Sequence, residues 1–234
     1  MIILSLDCTS RYSSVALTDG DKILGSQFLD CGNTHSETLL PTVISLLEYN
    51  HLHSDDVDLF ACSAGPGSFT GVRIGVSLLK GLASAKDKPC IGVSTLEALA
   101  ENLPYENAVL CPVMDARRQE VYNALFKREN GKLVRLTSDR QIPLAELDKE
   151  LQGYGLPIYL CGDGYALAKG KLEVTTENTP ALLTPQNAVS VASIAKKIYE
   201  SAPEADYSEE KLQPIYLRAC QAERERLEKE TQNS

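Results

Sequence analysis

The sequence predicts an α/β protein made of two related halves, each with a mixed sheet covered by helices. Residues 2–6, 13–17 and 23–29 are short apolar or alternating segments, and Asp19 and Gly20 lie between the last two. An Asp-Gly pair between alternating segments is typical of a hairpin, so the chain opens with a three-stranded meander. Amphipathic helices then alternate with apolar strands, and the same order restarts after residue 104, which favours this fold class.

The first half is predicted to continue with a helix over residues 34–49. Thr34 and Glu37 have the spacing of a capping box, and a broad apolar face follows at helical spacing. Pro41 lies inside this segment and is expected to kink the helix or delay its start. A strand over 57–63, a helix over 70–86, a strand over 90–93 and a short helix over 95–102 complete this half.

Residues 104–107 form the predicted boundary between the halves. Strands are expected over 108–114, 120–126, 133–136 and 158–161, with turns at 115–118 and 130–131. Helices are expected over 144–151, 165–171 and 186–200, and 214–218 is a short extended segment. The sequence therefore divides into subdomains at residues 1–104 and 105–218, followed by a charged tail at 219–234.

Composition limits the classes of protein that this chain can be. Apolar residues make up 43% and charged residues 24% of 234 residues, which is ordinary for a folded protein. No apolar run reaches the roughly 18 residues of a membrane span. Seven scattered cysteines without a Cys-x-x-Cys pair predict reduced, buried thiols in the cytoplasm. A net charge of −9 argues against independent binding of nucleic acid, because such affinity comes from neutralising phosphates.

Two segments have the pattern of a phosphate-binding site. Gly65 and Gly67 follow an apolar strand, and Ser68 can cap the next helix, so backbone N–H groups would point at an anion. Asp7 and Thr9 end the first strand, and they are further candidates for a phosphate contact. A plain structural turn is the alternative at both places, and the turn at residues 162–164 is a third candidate, for the adenosine side of a nucleotide.

Gly71 and Gly75 lie four residues apart in the second predicted helix, and Leu79 and Leu82 continue their face. Glycine inside a helix costs about 1 kcal/mol relative to alanine, so such a row indicates that another backbone comes very close. That backbone belongs either to a partner subunit or to the chain's own sheet.

The remaining candidates are a histidine and a pair of arginines. A metal site on the first helix would need a second histidine four residues after His35, and Leu39 stands there. Metal binding is therefore not expected. Arg117 and Arg118 lie at a predicted hairpin tip, which is either an ordinary exposed turn or a contact for an acidic partner or RNA phosphate.

Taken together, these segments resemble the TsaB (YeaZ) family over nearly the whole chain. The matching segments are LSLDCTS from residue 4, HSETLLP from 35, SAGPGSFTGVRIG from 63, MDARRQEVY from 114, CGDGYA from 161 and PIYLR from 214. The resemblance implies the fold of actin, Hsp70 and sugar kinases, with two related subdomains. It also implies a role in forming N6-threonylcarbamoyladenosine beside the anticodon of tRNAs that read codons starting with A.

The family further implies partners and a contact surface. A transferase, TsaD, would bind this chain, and a small ATPase, TsaE, would join them; homodimers are also implied. The tRNA would be reached only through this complex, and the chain would need no cofactor of its own, with ATP or ADP at the boundary to TsaD left open. The surface implied for pairing lies on the first two long helices, at His35, Leu39, Val43, Leu46, Gly71, Val72, Gly75, Leu79 and Leu82.

The resemblance also implies that TsaD shares this fold and holds its metal with an H-x-x-x-H motif on a helix. This chain has His35 and Leu39 at that place, which implies a non-catalytic subunit. Two other hypotheses stay open at this point. The chain could be an independent enzyme, either an actin-like ATPase or a metallopeptidase, or it could bind tRNA directly. The charge of −9 argues against the last of these.

Overall fold

The structure is a computed structural model that describes residues 1–32 and 34–218. Its first half is a five-stranded sheet in the order β3-β2-β1-β4-β5. The opening meander is antiparallel, whereas β1, β4 and β5 are parallel, as expected for a meander that continues into helix-connected strands. The elements are β1 (Ile2–Asp7), β2 (Ser13–Asp19), β3 (Lys22–Leu29), α1 (His35–Tyr49), β4 (Leu59–Gly65), α2 (Phe69–Ser84), β5 (Cys90–Ser94) and α3 (Thr95–Glu101).

Both faces of the first sheet are covered because its strands alternate two apolar sets. Leu4 and Leu6 of β1 point to one face and pack with α1 and α2. Ile3 points to the other face and packs with α3 and with a later helix at Ala188–Ser201. The order of strands and helices predicted for the first half is confirmed.

The second half is a six-stranded sheet that joins strands in the order β10-β7-β6-β8-β9, and β11 also pairs with β6. Helix α3 contacts both sheets, because Leu96 and Leu99 pack with Leu110 and Phe126. The elements are β6 (Val109–Asp115), β7 (Glu120–Asn123), β8 (Phe126–Glu129), β9 (Lys132–Arg135), β10 (Arg140–Pro143), α4 (Leu144–Gln152), β11 (Ile158–Cys161), α5 (Tyr165–Lys169) and α6 (Ala188–Ser201).

The C-terminal part of the second predicted subdomain packs against the first sheet. Val191 and Ile194 of α6 are buried against β1, β4 and β5. After α6 the chain continues along the same sheet, where the Cys90 N–H donates to the Tyr207 carbonyl at 2.8 Å and Leu212 is buried. Residues 105–218 thus form the second sheet and then return to the first one.

The structure corrects two local predictions and contains one strand that was not predicted. Helix α1 begins at His35 despite Pro41, since the capping box at Thr34 is formed. The predicted strand at 120–126 is interrupted at residues 124–125 and continues to 129 in the same register against β6. Pro112 of β6 lies at this break and has no N–H to donate to the neighbouring strand. Its carbonyl accepts a hydrogen bond from the Asn123 side chain at 2.9 Å. Strand β10 was not predicted.

The whole predicted charged tail, residues 219–234 including Cys220, lies outside the described residues. The six described cysteines are free thiols, five buried and one, Cys31, exposed against expectation. Among the described helices, none combines the length and apolar character needed to cross a bilayer.

Candidate functional site

A cleft of about 890 Å³ lies between the two sheets. It is formed where β1, β4 and β6 end, and the returning C-terminal segment closes one side. Its lining residues are Thr9, Ser10, Arg11, Tyr12, Pro66, Gly67, Ser68, Phe69, Met114, Asp115, Ala116, Arg117, Arg118, Tyr122, Asp163, Ile215, Tyr216, Leu217 and Arg218. Of the predicted phosphate contacts, Thr9, Gly67 and Ser68 therefore face the cleft, and Asp7 and Gly65 lie behind it.

Asp7 is buried at the end of β1, where its carboxylate holds the following turn. Its Oδ1 accepts hydrogen bonds from the N–H and the hydroxyl of Thr9, both at 2.9 Å, while Oδ2 has no hydrogen-bond partner among the described residues. Burial raises the pKa of Asp7, and the neighbouring Ser63 hydroxyl and the hydrogen bonds from Thr9 only partly oppose this. The Oδ1 atom of Asp7 thus binds the turn itself.

The glycine-rich turn after β4 is packed against the backbone of neighbouring segments. The Ser68 N–H donates to the Thr9 carbonyl at 2.6 Å, and the Ser68 hydroxyl caps α2 by accepting from the Gly71 N–H. Gly65 has φ +122°, and a side chain there would overlap the Ile215 carbonyl oxygen. At Gly67 an added Cβ would lie 2.7 Å from the Cβ of Thr9. The turn's glycines are therefore required by close packing, and the Ser68 N–H is already used.

Two acidic groups line the opposite wall of the cleft. Asp115 ends β6, and its Oδ1 accepts from the Arg117 N–H at 2.7 Å. Asp163 follows β11 in the predicted turn at residues 162–164. Its side chain is open to the water of the cleft on one side, yet the surrounding protein raises its pKa above the usual range, and the charges of Asp115 and Asp7 add to this shift.

Arg117 and Arg118 are placed at the mouth of the cleft, at the tip of the β6–β7 turn as predicted. Arg117, Arg118 and Gln119 all have left-handed backbone conformations, with φ of 67°, 57° and 62°. Both arginines are exposed, and Arg117 makes only a loose ion pair with Asp115, at 3.6 Å.

The C-terminal segment supplies cleft residues that sequence reasoning missed. The Ile215 N–H donates to the Ala64 carbonyl at 2.7 Å, and Arg218 donates to the Ala116 carbonyl at 2.9 Å, so this segment joins the two halves. Tyr216 stacks on Phe69 with ring centroids 4.7 Å apart. The sequence predicts an extended segment at 214–218 and a family match there, but nothing in its composition says what the segment contacts.

The described residues around His35 do not form a set of metal ligands. His35 Nε2 lies 2.8 Å from the Ser10 carbonyl oxygen, and the residue one turn later, Leu39, is buried. Within residues 1–32 and 34–218, no cluster of three or more His, Cys, Asp and Glu side chains is arranged to hold an ion.

The predicted pairing residues require a correction. Seven of the nine are buried in the chain's own core, so in this conformation they cannot line a contact surface; they are Leu39, Val43, Leu46, Gly71, Val72, Gly75 and Leu79. A side chain at Gly71 would overlap the Cys8 carbonyl oxygen, so the close backbone is that of the turn directly after β1. Only His35 and Leu82 are partly exposed. The apolar periodicity of both helices marked the side that packs on the sheet.

The outer side of the same helices is also apolar. Leu40 and Ile44 of α1 are one turn apart and are 42% and 47% exposed. Ile74 and Leu78 of α2 are one turn apart; they pack against the core of the first half on one side and are partly exposed on the other. The two helices contact each other. We call Leu40, Ile44, Ile74 and Leu78 the outer helix face.

Comparisons with known proteins agree with the fold and with the family resemblance. The family model described as "TsaD: tRNA N6-adenosine threonylcarbamoyltransferase" matches residues 30–224. The Bacillus subtilis (strain 168) "tRNA threonylcarbamoyladenosine biosynthesis protein TsaB" is 34% identical over 173 residues, which is 74% of this chain and 76% of that protein.

Solved structures give the same result. YeaZ from Pseudomonas aeruginosa is 26% identical, with a TM-score of 0.74 over 92% of this chain and 99% of that one. Component A of the Acidaminococcus fermentans (R)-2-hydroxyglutaryl-CoA dehydratase, at 13% identity, has a TM-score of 0.50 over 86% of this chain and 99% of that one. This distant likeness concerns the fold alone, and the predicted actin/Hsp70/sugar-kinase fold is confirmed. The chain belongs to the TsaB (YeaZ) family of tRNA threonylcarbamoyladenosine biosynthesis proteins.

Proposed function

We propose that this chain is a non-catalytic subunit that binds the transferase TsaD and supports threonylcarbamoyl transfer to the adenosine beside the tRNA anticodon. The observation that carries the proposal is the outer helix face. Soluble surfaces seldom group large apolar side chains on two adjacent helices unless a partner covers them. Helix pairs of this kind associate by packing side by side, so the expected partner presents a matching pair of helices.

The contacts inside the cleft favour a non-catalytic role over nucleotide turnover by this chain. The Ser68 N–H and the Asp7 Oδ1, which a nucleotide phosphate or its metal would need, are engaged with Thr9. His35 is occupied by the Ser10 carbonyl. We therefore place any ATP or ADP at the boundary with TsaD, and TsaE in the same complex, and we expect the isolated chain to pair with a second copy through the same face.

Copurification tests this proposal. The chain should form a stable complex with TsaD, and its depletion from cells should remove N6-threonylcarbamoyladenosine from tRNA, as measured by mass spectrometry of nucleosides. The rival hypothesis of an independent ATPase or metallopeptidase predicts turnover by the purified chain alone. Transfer activity in TsaD preparations lacking this chain, at the rate of the complete complex, would refute the supporting role.

A further inference from the structure

The cleft mouth has a local charge opposite to that of the whole protein. Among the described residues that line the cleft, four are arginines and two are carboxylates, although the chain carries a net charge of −9. The arginines are Arg11, Arg117, Arg118 and Arg218. A concentration of cations in a concave site raises the local potential and attracts an anion, whatever the total charge of the protein.

Two of these four cations are available to a ligand. Arg11 pairs with Asp30 and lies over the Tyr12 ring, and Arg218 is bound to the Ala116 carbonyl. Arg117 has a side chain that is 85% exposed, and Arg118 has no ion-pair or hydrogen-bond partner anywhere in residues 1–32 or 34–218. The availability of these two guanidinium groups points to a ligand with at least two negative charges.

The backbone holds these two arginines in place at a cost. A non-glycine residue in the left-handed region is strained, and three such residues follow one another here, from Arg117 to Gln119. The turn is nevertheless closed, by the Ala116 N–H on the Glu120 carbonyl at 3.0 Å and by Asp115 on the Arg117 N–H. Strain of this kind is typical of positions that present side chains to a ligand.

Aromatic rings line the same cleft as the cations. Tyr216 is 40% exposed and stacks on Phe69, whose ring also lies 3.9 Å from the Arg73 guanidinium carbon. Exposed rings interleaved with guanidinium groups are the usual surface for unstacked nucleobases and their phosphates. An acidic peptide would use the arginines but would have no need of the rings.

The depth of the cleft distinguishes an RNA strand from a free nucleotide. The Ser68 N–H donates to the Thr9 carbonyl, and Thr9 fills the space beside Gly67, so this donor and this space are not available to a buried phosphate. The available cations lie at the rim instead. We propose that this rim binds a single-stranded loop of RNA, with Arg117 and Arg118 on its phosphates and Tyr216 and Phe69 against a base. This inference rests on the proposed function, which supplies tRNA as the RNA.

A salt-dependence experiment tests the assignment. The complex with TsaD is titrated with an RNA stem-loop of anticodon-arm sequence, for the natural chain and for the double variant Arg117→Ala/Arg118→Ala. Each lost contact to a single strand should reduce the slope of log K against log salt by about 0.7, hence by about 1.4 for both, with roughly tenfold weaker binding at ordinary salt. The matched variant Lys132→Ala/Lys171→Ala removes two exposed cations that do not line the cleft, and it should leave the slope unchanged.

A second pair of variants tests the stacking. Tyr216→Ala should weaken binding on the order of tenfold, whereas Tyr216→Phe keeps the ring and should bind nearly as well as the natural chain. An unchanged salt slope in the arginine variant would overturn the proposal, as would ADP binding that falls in this variant while RNA binding stays constant. If pairing with TsaD fails, the same titration is carried out with the isolated chain at low salt. RNA binding at the rim is then tested independently of the proposed pairing.

Discussion

Gly71 of α2 lies directly against Cys8 of the β1–β2 turn. The Cys8 thiol donates to the Gly71 carbonyl at 3.1 Å, and a Cβ on Gly71 would overlap the Cys8 carbonyl oxygen. One turn later, a Cβ on Gly75 would lie 2.8 Å from the Cys8 sulfur. The glycine row predicted from the sequence as a close approach of backbones is therefore an approach of α2 to its own sheet.

Gly71→Ala is thus expected to destabilise the monomer. The new methyl group meets backbone that cannot move freely, and overpacking of this kind costs about 1–3 kcal/mol. Urea unfolding monitored by circular dichroism should show a lower midpoint. Gly81→Ala in the same helix is the matched control, because nothing lies within 4 Å of its added Cβ; it should gain about 0.5–1 kcal/mol from helix propensity. Equal stability of the natural chain and Gly71→Ala would contradict this packing argument.

A charge on the outer helix face should separate the subunits without unfolding them. Ile44 is 47% exposed, so Ile44→Glu removes little core packing but places a carboxylate in the proposed contact. Size-exclusion chromatography with light scattering should show loss of the homodimer and of the TsaD complex. Leu182→Glu, at a position that is 85% exposed and away from α1 and α2, should pair normally. If Ile44→Glu pairs as well as this control, the outer helix face is not the contact surface.

The fold was largely predictable because its signals are local. The hairpin at Asp19 and Gly20 and the capping box at Thr34 each depend on neighbours in sequence, and both are present in the structure. The break between β7 and β8 was not predictable in the same way. It depends on Pro112, which lies about a dozen residues earlier and has no N–H to offer there.

The candidate site was predictable only in part, because it joins segments that are distant in sequence. Arg117 and Arg118 were expected at an exposed turn, but their position in the same cleft as Tyr216 depends on the return of the chain to the first sheet. The pairing residues were misplaced for another reason. Periodicity shows that a helix has an apolar side, but not whether that side faces the sheet or a partner, and for Leu39 and Val43 it is the sheet.

Asp7 should make the stability of the chain fall with rising pH. Its folded-state pKa is raised by burial, so at pH above the ordinary value near 4 the unfolded chain releases a proton that the folded chain keeps. Stability is then lost through the window between the two pKa values, and the penalty persists above it. Asp7→Asn keeps an oxygen for Thr9 and removes the charge, so its melting temperature should exceed that of the natural chain at pH 8 and match it near pH 4.

The control for this prediction is Asp87→Asn, which removes the same charge from an exposed residue. Its melting temperature should follow the natural chain at every pH. A natural chain and an Asp7→Asn variant with parallel stability profiles from pH 4 to pH 8 would show that Asp7 ionises normally in the fold.

Arg128 should be a main stabilising contact between α3 and the second sheet. Its guanidinium donates to the carbonyls of Leu103 and Gly131 at 3.1 and 2.9 Å, and it pairs with the Glu101 carboxylate at 3.2 Å. Both charged side chains are only 12% exposed. Arg128→Ala leaves the two carbonyls without this donor, whereas Glu101 keeps its contacts with Lys197 and Ser193, so the expected cost is about 1–3 kcal/mol.

Lys127 in the same strand provides the comparison, since it pairs only with the exposed Glu129. Surface pairs contribute about 0–1 kcal/mol, so Lys127→Ala should unfold at nearly the same urea concentration as the natural chain. Arg128→Ala should unfold at a clearly lower concentration, and its transition should broaden if the two halves lose their cooperativity. Indistinguishable midpoints for the two variants would mean that water replaces the Arg128 contacts and that packing of α3 alone joins the sheets.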